Sequence, residues 1–156
     1  MPVIVNNVEI TDEQVFREMQ HHPAKNHAVA MQLAAEALTI REILLQEAVA
    51  MGIAEGDKQN IDEPLADDER IQKLLDAVIK IPELDELSCR RFYDNNLHKF
   101  TKSGVVSEFD EVKSVIAEYL HNTSWQTAVQ QYIKILVGKT KLAGIELEGV
   151  DNPLVQ

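Results

Sequence analysis

At 156 residues the chain has the length of one compact domain, and a fold of this size buries roughly 70% of the surface its unfolded chain exposes. Hydrophobic residues make up 45% of it and aromatic ones only 5%, so aliphatic side chains must build most of the core. Fifteen basic residues against 26 acidic ones give a formal charge of −11, and Lys and Arg do not form a basic face; this argues against nucleic acid and against anionic membrane surfaces as partners.

The opening stretch MPVIVNNVEI lacks the basic start and long apolar core of a signal peptide. No uninterrupted apolar run approaches a membrane span, and a single cysteine, Cys89, excludes an internal disulfide. The expectation from these features is a cytoplasmic protein. Val3–Val5 and Val8–Ile10 are β-formers around Asn6-Asn7, a pair that tolerates the left-handed angles of a tight turn, so a short hairpin or bent strand is expected. Thr11 and Gln14 have capping-box spacing, and Val15, Phe16 and Met19 give a short first helix that Pro23 ends.

From about Asn26 to Met51 the pattern is helical. Leu33, Ala37, Ile40, Leu44, Ala48 and Met51 share a face, Met31, Ala35, Leu38, Leu45 and Val49 widen it, and only Gln32, Glu36, Thr39, Gln46 and Glu47 mark a polar side. Gly52 stops this helix, and AEGDKQNIDEPLADDE reads as a polar linker, with Asp67, Asp68 and Glu69 at the start of the next helix. Ile71, Leu74, Leu75, Val78 and Ile79 then follow helical spacing up to Pro82, and a short helix lies within ELDELSCRRFYDNN. After the connector TKSGVVSE, an apolar stripe from Phe109 through Leu136 predicts one long helix, with Gly138 just past its end. GIELEG alternates like an edge strand. The terminal strands are expected to pair, Val3–Val5 with Ile145–Leu147.

Several blocks then acquire a joint meaning. VNNVEIT, EMQHHPA, AAEALTIREILLQEAVAMGI, CRRFYDNNLHKF and VIAEYLHNTSWQTAVQQYIKILVGKTKLAGIELEG resemble, in order, the chaperone-like parts of SurA/NifM-type, parvulin-containing peptidyl-prolyl isomerases. The resemblance implies a mainly α fold: a helical SurA-N-like chaperone domain over residues 1–156, with a small β element made by the N- and C-terminal strands. In that family a parvulin domain sits between the helix corresponding to YDNN and the final long helix. Here the interval is eight residues, 101–108, so no catalytic residue can be carried over.

The chemistry-bearing residues point the same way. His21, His22 and His27 lack the spacing that converges on one ion, and His98 and His121 are isolated, so no metal or other cofactor is expected. Cys89 reads as helix packing rather than a nucleophile. What remains is binding of unfolded or partly folded client polypeptides by flexible and aromatic side chains, with Phe16, Met19, Met31, Met51, Phe92, Tyr119 and Trp125 as candidates against the plainer reading that most are core. Two alternatives stay open: an isomerase-family member with residual or partner-supplied activity, and a module that docks one specific partner. The long final stripe further suggests a homodimer, since a body of this size would leave part of it uncovered.

Overall fold

A computed structural model describes residues 2–53 and 65–147. The fold is mainly helical, with a small antiparallel sheet made by strands from both ends of the chain. Two compact units form: one from the chain up to Ile79 together with the chain from Val129 onward, the other from Lys80–Ala128.

In the first unit, β1 (Val3–Val5) and β2 (Val8–Ile10) pair antiparallel, with Val5 opposite Val8. Asn6 and Asn7 both take positive φ, 47° and 77°, as a two-residue type I′ turn requires. Thr11 caps α1 (Asp12–Glu18) with the full box: the Gln14 backbone amide donates to the Thr11 hydroxyl at 3.2 Å, and the Thr11 backbone amide donates to the Gln14 side-chain oxygen at 2.8 Å. A 3-10 turn, Met19–His21, follows before Pro23. Asn26 caps α2 (His27–Ala50), and Gly52, at φ 75°, lies just past its end.

Helix α2 is the centre of this unit and packs against α1, β1 and α3 (Leu65–Val78). Ala30, Ala34, Ala37 and Ala48 are buried along it, small side chains that allow close packing. Two residues assigned to its polar side, Glu36 and Thr39, are buried instead. The helix is surrounded, and each group is satisfied within its own turn: Gln32 donates to Glu36 at 2.8 Å, and the Thr39 hydroxyl donates to the Ala35 carbonyl at 2.6 Å. Helix α3 begins at Leu65, so the end of the expected linker is helical. Its acidic first turn, with Asp67 and Asp68, favours that earlier start, and Asp68 accepts from Arg41 at 2.7 Å. Residues 54–64 of the linker lie outside the described residues.

The second unit contains α4 (Glu86–Asn95), a 3-10 turn (Leu97–Phe100), and a hairpin of β3 (Thr101–Lys102) and β4 (Val105–Val106). Residues 101–108 are therefore not a plain connector. Ser103 and Gly104 take φ 54° and 80°, a second type I′ turn, and the Ser107 amide donates to the Phe100 carbonyl at 2.8 Å beyond the strand pair. Helix α5 (Phe109–Lys139) is the single long helix expected, about 46 Å at 1.5 Å per residue. Its residues to Ala128 belong to the second unit and the remainder to the first. Gly138 lies inside it, not past its end.

The terminal strands do pair, but in a different register. The partner of β1 is β5 (Leu142–Ala143), with Val5 opposite Leu142 and Ile4 opposite Ala143, rather than Ile145–Leu147. The turn of the first hairpin fixes this register: the Asn6 amide donates to the Lys141 carbonyl at 2.9 Å, and the Lys141 amide donates to the Asn6 side chain at 2.8 Å. Gly144, at φ 82°, ends β5 against Pro2. The α5 stripe is covered within the chain at Phe109, Ile116, Val129, Ile133 and Leu136, so at these positions it needs no second copy.

Candidate functional site

The second unit is organised by aromatic rings. Cys89, Phe109 and Ile116 are buried at its centre, and Phe92, Tyr93, Phe100 and Leu120 pack around them partly exposed. Tyr93 meets Phe109 edge-on at 5.5 Å between ring centres, and Phe92 lies 5.3 Å from Tyr119 and 6.3 Å from Phe100. The Arg90 guanidinium sits 4.4 Å above the Phe109 ring. Asp85 caps α4 by accepting from the Ser88 amide at 2.8 Å. Hydrogen bonds from the Ser88 side chain and backbone hold its carboxyl below the ordinary aspartate range. The Tyr93 hydroxyl donates to the Ser107 carbonyl, tying the hairpin back to α4.

This arrangement leaves an open apolar groove of about 210 Å³ lined by Phe92, Lys99, Phe100, Val115, Ile116 and Tyr119. Val115 is 61% exposed and Tyr119 51%. The Lys99 ammonium stands 5.6 Å from the centre of the Phe92 ring, at the edge of the groove. Chemically the groove offers an apolar cradle with one cation and no group arranged for bond making or breaking.

Of the seven candidate residues, Phe92 and Tyr119 are brought together here. Trp125 is half-buried elsewhere on α5. Phe16, Met19, Met31 and Met51 belong to the first unit, where Phe16 is half exposed 6.2 Å from the His27 ring and Met51 is similarly exposed at the C-cap of α2. Sequence reasoning missed Phe100, Val115, Ile116 and Lys99. Val115, Ile116 and Tyr119 carried a helical i, i+3, i+4 signal; Phe100 and Lys99 join them only because the chain turns through a 3-10 segment and a hairpin.

The first unit holds a second hollow, of about 220 Å³, beside Asn6, Gln46, Glu47, Lys139 and Thr140. Three of its polar side chains are engaged in the fold: Asn6 donates to Gln46 at 3.0 Å, Gln46 donates to the Val5 carbonyl at 3.1 Å, and the Thr140 hydroxyl donates to the Leu136 carbonyl at 2.6 Å. Burial, and then the Glu47 carboxylate, raise the pKa of the Tyr132 phenol. His22 pairs with Glu18 at 3.0 Å. Among the described residues no group of three His, Cys, Asp or Glu side chains could hold a metal ion, and no helix is long and apolar enough to cross a membrane. No family model, curated protein or solved structure matches the chain.

Proposed function

We propose that the protein is a non-catalytic folding factor, acting in the cytoplasm, that binds unfolded or partly folded polypeptide segments. The observation that carries this reading is the open groove with the half-exposed Tyr119 and Val115 over an aromatic floor. Client apolar side chains enter it and leave it again without nucleotide or cofactor. Burying one leucine-sized side chain is worth about 1.5–3 kcal/mol, which suits weak, reversible holding rather than permanent capture.

The resemblance to the chaperone-like parts of parvulin-containing isomerases supports the same reading. At the position of that family's catalytic insert, this chain has a hairpin closed by a two-residue turn.

Suppression of aggregation tests the proposal. The protein at a few molar equivalents should slow light scattering by several unrelated unfolding clients, and Val115→Glu should remove the effect while leaving the fold intact. Protection of a single client, with the others unaffected, would favour a dedicated docking module. Acceleration of prolyl exchange in a model peptide, uncatalysed over tens to hundreds of seconds, would favour an isomerase.

A further inference from the structure

One cation, Lys99, lines the groove of a protein whose formal charge is −11. Between Cys89 and Ser107 there are four basic residues and one acid, whereas the facing stretch of α5 carries Asp110, Glu111 and Glu118 against Lys113. Arg90 is engaged by the Phe109 ring. Lys99 lines the groove itself, and among the described residues no carboxylate pairs with it. The Lys99 ammonium lies over the Phe92 ring, 5.6 Å from its centre, and an ammonium keeps three donors.

From this juxtaposition we infer that the groove selects segments in which a large apolar side chain is followed closely by a carboxylate. The apolar side chain fills the space between Phe92, Phe100, Ile116 and Tyr119, and the carboxylate meets Lys99 at the rim. This deepens the folding-factor reading and rests on it. The selectivity it predicts runs against the field of the whole molecule. An acidic protein attracts basic clients at long range, where salt screens the attraction, but at this groove a short-range pair favours acidic ones. The two effects separate with ionic strength.

Three fluorescein-labelled peptides identical except at one position test the inference: a Leu-Leu-Phe core followed by Glu, Gln or Lys. Fluorescence polarisation at about 0.15 M salt should place the Glu peptide about fivefold tighter than the Gln peptide, the size of one partly exposed ion pair, and the Lys peptide weakest. Lys99→Met keeps the stem over Phe92 and removes the charge. It should erase the Glu-over-Gln preference, and Val115→Glu should abolish binding of all three.

Equal binding of Glu and Gln peptides, lost together in Val115→Glu, would overturn the acidic selectivity and leave the folding-factor reading standing. No binding of any peptide, together with no aggregation suppression, would overturn both. A light-scattering mass of twice 17.6 kDa that Val115→Glu returns to one chain would assign the groove to a second copy of the protein and overturn the inference as well.

Discussion

The two units reach stability by different means. The first is aliphatic and layered: Val5, Ala34, Leu44 and Leu74 are fully or almost fully buried, with a three-stranded sheet joining both ends of the chain. The second buries Cys89, Phe109 and Ile116 and leaves its other rings half exposed around them. Close-packed aliphatic cores have little room to exchange partners, whereas half-exposed rings can trade one apolar neighbour for another at low cost. Under the proposed function, the contrast would make the first unit the scaffold and the second the binding unit.

The sharpest way to break that assignment is to damage each core in turn. Leu44→Ala, at a side chain 1% exposed, should cost about 2–5 kcal/mol by chemical denaturation, because the surrounded α2 cannot collapse into the cavity. Phe109→Ala should cost about 3–5 kcal/mol in the second unit, since it removes the ring that Tyr93 and Arg90 pack on. Hydrogen exchange distinguishes the two. Leu44→Ala should raise exchange at α2 and β1, and Phe109→Ala at α4 and the β3–β4 hairpin. The same pattern from both variants would mean that the units do not differ in the way proposed.

A pair of glycines sharpens the comparison within α5 and β5. A Cβ on Gly144 would lie 2.5 Å from the Pro2 carbonyl oxygen at a positive φ, so Gly144→Ala should destabilise by about 1–3 kcal/mol. Gly138 is helical with open space where a Cβ would go, and Gly138→Ala should stabilise by about 0.5–1 kcal/mol. Thermal melts of the two variants should move in opposite directions.

The smallest expected effect is the titration of Asp85. Its folded pKa is lowered by Ser88, so the stability it contributes is present above the ordinary aspartate pKa and is lost as pH falls through the lowered value. An NMR titration should give a midpoint below that of an unstructured aspartate, and Ser88→Ala should raise it. A midpoint unmoved by Ser88→Ala would remove the Ser88 hydroxyl as the cause.

Local signals were legible in the chain, because each depends on residues only a few positions apart. Asn6-Asn7 specified a tight turn, Thr11 and Gln14 specified a cap, and the stripe through Phe109, Ile116, Val129 and Leu136 specified one long helix through Thr123 and Ser124. The Thr123 hydroxyl donates to the Tyr119 carbonyl at 2.9 Å, four residues back in the same helix. Ser103-Gly104 carried a hairpin signal as well, but its flanks, Thr101–Lys102 and Val105–Val106, are too short to show alternation.

Only the tertiary structure decided the rest. Burial of Glu36 and Thr39 follows from how many neighbours surround α2, which helical periodicity does not encode. The β1–β5 register was set by Asn6 reaching Lys141 across the sheet, a contact spanning 135 positions, and not by the apolar alternation of Ile145–Leu147. The groove arose the same way. Tyr119 and Val115 share a helix face by spacing alone, but Phe92, Lys99 and Phe100 reach them only after a 3-10 turn and a hairpin reverse the chain. Composition marked these residues as apolar or basic; chain reversal decided which of them meet.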